Sequence, residues 1–256
     1  MADRLTFLGH STVLIDLDGV RLLTDPLLGH DVAWVIRRHG PAVLPGELEG
    51  LSAVFISHGH LDHLDLASLR ALPGRPACFV PVGLGRVVGA VARGAVHEMR
   101  VGERLRLGGL TLEAVHAEHG RRRSLFTRSE DALGVLVTGS TSVYFAGDTD
   151  LFAAMSDLAG RVDVALLPVS GWGPTLGPGH LDPVRAAEAA ARIRPGIAIP
   201  IHWGTLFPIG LRRLARRRFE EPGEAFRDAV AARAVRVDVR ILLPGESVPL
   251  AGRPRP

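Results

Sequence analysis

The sequence contains no lysine, so all 30 of its basic side chains are arginine. That absence explains a pI of about 10.2 beside a net charge of only +3, because arginine keeps its proton where lysine loses it. The high pI is therefore no argument for nucleic acid. Aromatic residues make up 5% of the chain, which leaves little for a base-stacking surface. A single cysteine, Cys78, excludes an internal disulfide and suits a reducing compartment. Within Ala77-Cys78-Phe79-Val80 it reads as a core residue. No apolar run approaches the roughly 18 residues that span a bilayer, and the chain opens on no leader-like apolar segment. A soluble, cytoplasmic chain is expected. Linkers, low-complexity segments and repeats of fixed period are also lacking. The 256 residues, 46% of them hydrophobic, are expected to form one domain, 1–256.

What is there is concentrated in Ser57-His58-Gly59-His60-Leu61-Asp62-His63, which follows the apolar run Ala53-Val54-Phe55-Ile56. The run reads as a buried strand. Three imidazoles and a carboxylate this close would repel or titrate near neutrality unless an electrophile held them. A divalent transition metal is such an electrophile. His58 and His60, two apart at a strand end, can address one ion. Asp62 and His63, on the next turn, can address a second about 3.5–4 Å away.

Three later segments share one form, an apolar strand ending in a ligand-capable side chain. Leu112 to Gly120 carries His116 and His119. His119 is favoured as a ligand because it sits at the strand exit, whereas His116 keeps the strand's alternation. Val143 to Thr149 ends in Asp148, a suitable bridging carboxylate behind Gly147, with an N-cap as its other reading. Ile199 to Thr205 ends in His202, ligand or hydrogen-bonded core histidine.

The remaining pattern is strand-rich in both halves. Arg4 to Leu8, the hairpin Thr12–Asp16 and Val20–Thr24 around Asp18-Gly19, and Ala77–Pro81 read as strands of the first half. Val96–Met99, Arg104–Leu107, Leu110–His116, Ala132–Thr138, Ser142–Ala146, Asp163–Val169, Ile197–Ile201 and Val237–Leu243 follow, the last being the final strand. Helices are expected near Leu66–Leu72, Gly83–Arg93 and Phe152–Leu158, from the Asp182-Pro183 cap to about Ile193, and over Leu211–Ala234 with a break at Pro222-Gly223. Thr24-Asp25-Pro26 opens a loop-rich stretch through Pro45. Two packed sheets with helices outside account for this order.

These residues carry a resemblance. His58-Gly59-His60-Leu61-Asp62-His63 matches the HxHxDH signature of metallo-β-lactamase-fold hydrolases. Leu8-Gly9-His10-Ser11-Thr12, Leu23-Thr24-Asp25-Pro26, Phe145-Ala146-Gly147-Asp148-Thr149 and Ile201-His202-Trp203-Gly204-Thr205 resemble one branch of it. That branch holds the ascorbate-6-phosphate lactonases and the N-acyl-phosphatidylethanolamine phospholipase D-like hydrolases. The resemblance implies an α+β fold, an αββα four-layer sandwich of two mixed β-sheets flanked by helices. It makes His58, His60 and His119 ligands of one ion, and Asp62, His63 and His202 ligands of another, with Asp148 bridging. The implied cofactors are two divalent ions, Zn2+ first, with Mn2+ or Fe as alternatives.

After His119 the chain has Gly120-Arg121-Arg122-Arg123 where the phospholipase-like pattern has Trp-Ser and an arginine, which argues against a membrane-lipid substrate. β-Lactamases of this fold commonly use a cysteine ligand. Here Asp148 stands in that slot, so β-lactam hydrolysis is not expected.

The expected chemistry is hydrolysis of a small ester, lactone or phosphodiester, in which two ions convert a shared water to a bridging hydroxide. Asp62 would orient that nucleophile. His180, after the Gly/Pro loop from Gly173 to Gly179, is a proton donor or phosphate contact, or else a loop residue. His10 and Asp25 have two readings, hydrogen bonds to ligands or ordinary strand-end roles. His30, His39 and His97 read as surface. Arg121, Arg122, Arg123 and Arg128 read as a solvated face or as an anion clamp, the basic stretch Leu211 to Arg218 reads as the surface face of a helix, and RNA is the other reading of both runs. The expected partner is a small, anionic or phosphorylated molecule; a homo-oligomer is left open. The alternatives are an RNA or DNA nuclease of the same fold, or a metal-binding or di-iron redox protein without hydrolytic turnover.

Overall fold

The computed structural model describes residues 2–32, 36–40, 43, 45–119, 132–171, 176–211 and 216–250. In chain order its strands are β1 (Arg4–Gly9), β2 (Thr12–Leu17), β3 (Val20–Thr24), β4 (Asp31–Val32), β5 (Ile36–Arg38), β6 (Ala53–Phe55), β7 (Ala77–Pro81), β8 (Val96–Met99) and β9 (Arg104–Leu107). They continue with β10 (Leu110–His116), β11 (Leu133–Thr138), β12 (Ser142–Phe145), β13 (Val164–Pro168), β14 (Ile197–Ile201), β15 (Leu206–Pro208), β16 (Asp238–Val239) and β17 (Ser247–Pro249). The helices are α1 (Leu66–Ala71), α2 (Gly85–Gly89), α3 (Pro183–Ile193), α4 (Arg216–Glu220) and α5 (Pro222–Ala231).

Two mixed sheets of seven strands result, in the orders β17-β1-β2-β3-β6-β7-β8 and β16-β14-β13-β12-β11-β10-β9. The β2–β3 hairpin turns at Asp18-Gly19, where both residues have positive φ, the geometry that matches strand twist. Between the sheets lies an apolar layer that includes Phe7, Ile15, Phe55, Val135, Phe145, Leu166 and Ile201. Outside each sheet lies a second layer. One holds Leu69, Leu84 and Val88 of the first-half helices. The other holds the alanine face of α3 with Phe226 and Val230 of α5. Alanines at 186, 187, 189 and 190 let α3 lie close on its sheet, and Asp182 caps it by accepting from Arg185 N. The expected αββα sandwich is the observed one.

Several boundaries differ from expectation. The helix expected over Gly83–Arg93 is the single turn α2, since glycines at 85, 89 and 94 weaken a longer one. Phe152–Leu158 forms a 3-10 helix over Ala153–Leu158, whose three-residue turn buries Met155 and Leu158 together. The strand expected over Val237–Leu243 is reduced to β16, and the final strand is β17, paired with β1. Pro222 begins α5, a position that needs no N–H. The loop-rich stretch contains β4 and β5, which with β15 form a small antiparallel sheet not foreseen from two- and three-residue strands. Among the described residues no helix is long and apolar enough to cross a membrane.

Candidate metal centre

The direction of the strands builds the site. β3 and β6 are parallel, and β1 runs with β3 because each is antiparallel to β2. In the other sheet β12, β13 and β14 are parallel, and β10 runs with β12 through β11. Their carboxyl ends share one edge of the sandwich, where open sheets of this kind bind ligands. His10, Asp25, His58, His119, Asp148, Ser170 and His202 all lie just past such ends. Leu133 N donates to Ser57 O (2.9 Å) and ties the two sheets together beneath the edge.

Gly147 allows that closeness. Its φ is +62°, and a Cβ there would lie 2.7 Å from Ser57 Cβ. In the HxHxDH stretch, His63 N and Leu64 N both donate to His60 O, forming one tight turn. Leu61 packs with Leu27, Val32 and Leu206, while Leu64 enters the helix layer. These two anchors turn His58 and His60 one way and Asp62 and His63 the other.

Two donor groups converge. His60 Nδ1 lies 2.9 Å from His58 Nε2 and 3.1 Å from His119 Nε2. On the other side His63 Nε2 and His202 Nε2 are 3.2 Å apart, and each is 3.4 Å from Asp62 Oδ2. Asp148 spans the groups: Oδ2 is 3.3 Å from His63 Nε2, and Oδ1 is 3.2 Å from His202 Nε2. Its carboxylate also groups with His58 and with His119 and His180. All seven residues expected as ligands are therefore brought together. His116 points elsewhere, half-exposed beside Glu118, as the strand alternation requires. His30 and His97 are exposed, but His39 is half-buried against the Phe219 ring.

The outward nitrogens of four of these imidazoles are committed to the scaffold. His119 Nδ1–H donates to Gly179 O (2.7 Å) and His202 Nδ1–H to Ser170 O (2.8 Å). His63 Nδ1–H donates to Asp25 Oδ2 (2.7 Å). Ser57 Oγ–H also donates to Asp25 Oδ2 (2.6 Å) and so accepts from His58 Nδ1–H (2.9 Å). One buried carboxylate thus selects the tautomer of a histidine in each group and leaves both Nε2 lone pairs facing inward. Asp25 had been read from sequence as either this or a plain strand-end residue. The Ser57 relay was missed; its only signal was a hydroxyl directly before the first histidine.

This donor set fits divalent cations. Asp148 Oδ1 is buried without a hydrogen-bond donor. Ring nitrogens meet ring nitrogens, pairs in which lone pairs oppose unless positive charge lies between them. Ligands 2.0–2.1 Å from a tetrahedral ion are about 3.3 Å apart, close to the 3.2–3.4 Å separations around His63 and His202.

Protonation agrees. Burial, then His63 and His119, holds His58 well below the usual imidazole range. Burial and His119 bring His60 down to about 4, and burial lowers His119. Burial opposes ionisation of Asp62 and Asp148, but the facing histidines outweigh it and hold both well below the carboxylate range. His63 is pushed up by Asp148, Asp62 and Asp25 against burial, so without a cation a proton takes that role.

His10, Asp62, His63, Asp148 and His202 are all buried, whereas His60, His119 and His180 are partly exposed and form the open rim. His180 Nδ1–H donates to Gly177 O (3.1 Å), and its Nε2 lies 3.4 Å from Asp148 Oδ2. That contact raises its pKa against burial. Arg121, Arg122, Arg123 and Arg128, Arg212 and Arg213, and residues 172–175 of the loop before His180 lie outside the described residues.

Known proteins resemble this chain in sequence and fold. The sequence profile of a family described as "Beta-lactamase superfamily domain" matches residues 20–203. A UPF0173 metal-dependent hydrolase of Aeropyrum pernix is 32% identical over 272 residues, covering 95% of this chain and 96% of that protein. An N-acyl-phosphatidylethanolamine-hydrolyzing phospholipase D of Caenorhabditis elegans is 28% identical, covering 89% of this chain and 70% of that one. Among solved structures, a metallo hydrolase of Ignicoccus hospitalis superposes with a TM-score of 0.74 at 23% identity, covering 99% of this chain and 100% of that one.

Proposed function

We propose, since this chain belongs to the beta-lactamase superfamily and is a metal-dependent hydrolase, that it cleaves a small ester, lactone or phosphodiester at a two-ion centre. The observation that carries this is the pair of donor groups, His58-His60-His119 and Asp62-His63-His202, with Asp148 in reach of both. In this reading the first three would hold one ion and the second three the other, with Asp148 placed to serve both. Zinc suits the imidazole-rich set best; manganese and iron compete by availability. Bound divalent ions supply Lewis acidity and bring the pKa of water toward neutrality.

The chain's own residues do the rest. Asp62 would orient the attacking oxygen and Asp148 would accept the one proton it gives up. Asp25 holds His58 and His63 in the ligating tautomer. His180, partly exposed and 3.4 Å from Asp148, gives a proton to the leaving oxygen or holds an anionic group of the substrate. Substrate enters over the His60-His119-His180 rim. The Caenorhabditis elegans relative, named for hydrolysis of a phosphodiester, supports that bond as one candidate.

The test is metal analysis joined to a hydrolysis screen. Zinc- and manganese-loaded protein is offered lactones, phosphodiesters and RNA. Two ions per chain, turnover of a small substrate, and its loss in His58→Ala and Asp148→Ala are expected. Fewer than two ions after reconstitution, or full activity in either variant, would sink the reading.

A further inference from the structure

The two sheets repeat one pattern of pairing. Along β1-β2-β3-β6-β7-β8 the neighbours are antiparallel twice and then parallel three times. Along β10-β11-β12-β13-β14-β16 the order is the same. Matching the strands pairs the end of β1 with the end of β10, and the end of β3 with the end of β12. An aspartate follows in the second case, Asp25 in one sheet and Asp148 in the other. A histidine follows in the first, His119 after β10 and His10 after β1. His119 belongs to the three-histidine group. His10 has no role in anything described above.

Its surroundings give it one. His10 is 2% exposed. Its Nε2 lies 2.9 Å from Asp62 Oδ2, the same oxygen that His63 and His202 approach at 3.4 Å. Its ring lies 4.0 Å from that of His202. The backbone is held in a conformation L residues rarely adopt, φ +54°. The His202 loop holds it there: His10 N donates to Thr205 Oγ1 (2.9 Å) and His202 N donates to His10 O (2.8 Å). Backbone strain of this kind persists where surrounding structure over-determines it. A carboxylate oxygen can only accept, so His10 Nε2–H donates.

We propose that His10 is the positioning residue of the second ion site, holding the Asp62 carboxylate in the ligand set with His63 and His202. Its contacts run to Asp62 and to the His202 loop, both of the second donor group, so it governs that ion and not the one at His58, His60 and His119. The inference rests on the two-ion reading. Hydrogen bonds to ligands of this kind are worth about 10–100-fold in metal affinity.

The experiment is zinc titration with a competing chelator, followed by counting ions per chain, on wild type, His10→Ala and His10→Gln. Glutamine places an N–H donor near the position of the imidazole Nε2–H. Wild type is expected to take two ions. In His10→Ala one of the two ions is expected to lose about 10–100-fold in affinity while the other is unchanged, and His10→Gln restores most of the loss. If His10→Ala does not fold, as read from circular dichroism, the glutamine variant is compared with wild type directly, and a loss of 10-fold or more in it overturns the proposal. Equal affinities in wild type and His10→Ala, an equal loss at both ions, or no rescue by glutamine likewise overturn it. A wild-type chain that takes fewer than two ions overturns the two-ion reading itself, and this is seen before any variant is compared.

Discussion

At the scale of single residues, the centre depends on groups that touch no substrate. Asp25 accepts from Ser57 N, from Ser57 Oγ and from His63 Nδ1, and through Ser57 it reaches His58. Asp25→Asn keeps the shape but replaces an acceptor oxygen by a donor, so one of these bonds is lost. Metal affinity is expected to fall by about 10–100-fold, at both ions rather than one. That spread separates it from His10→Ala in the same titration. Cys78 makes the opposite case. It is 2% exposed, and burial pushes its thiol up to about 11. The thiolate is the reactive form, so native protein is expected to resist iodoacetamide, while protein in guanidinium labels one thiol per chain. Rapid native labelling would show that this layer opens.

At the scale of elements, the site is a property of how strand ends meet. Gly147 is the contact most sensitive to change, because alanine there meets both a positive φ and Ser57 Cβ at 2.7 Å. Gly147→Ala is expected to cost about 1–3 kcal/mol in stability, read from denaturant unfolding. Metal content should fall with it, because Ser57 and Asp148 flank the displaced backbone. Between the sheets, the Phe55 and Phe145 rings meet edge-to-face at 6.2 Å, both fully buried. Phe145→Ala should cost about 3–5 kcal/mol and yet leave the donor atoms unchanged. Unchanged unfolding in either variant would contradict the packing described. Most long strands and α3 were legible as elements, because their apolar periodicity, turns and caps are local. β4, β5, β15 and β17 were not. Each has two or three residues and exists only because a partner from a distant part of the chain pairs with it.

At the scale of the whole molecule, ions held at the proposed centre would link the two sheets' stability to metal. An ion at 1,000 times its Kd adds about 4 kcal/mol to folding. For a chain of 256 residues that corresponds to roughly 8–16 °C in Tm per ion. Chelation is therefore expected to lower Tm by about that amount for each ion removed, and zinc to restore it, in a scanning-calorimetry comparison. A Tm indifferent to chelator would mean that no ion bridges the halves. Reductant should leave Tm unchanged, since the one cysteine has no partner.

The sequence by itself determined the candidate ligands. Imidazole and carboxylate at strand ends are chemistry that spacing displays, and His58, His60, Asp62, His63, His119, Asp148 and His202 could be named from it. It also determined the sandwich, through strand periodicity and helix caps. It could not decide between the two readings of His10 and Asp25, because a hydrogen bond between residues 52 or 38 positions apart leaves no local trace. Nor could it reveal the carbonyls of Ser170 and Gly179, which every residue possesses and only tertiary packing aims. Which nitrogen faces inward was decided there, for His119 and His202 by where those carbonyls came to rest and for His58 and His63 by Ser57 and Asp25.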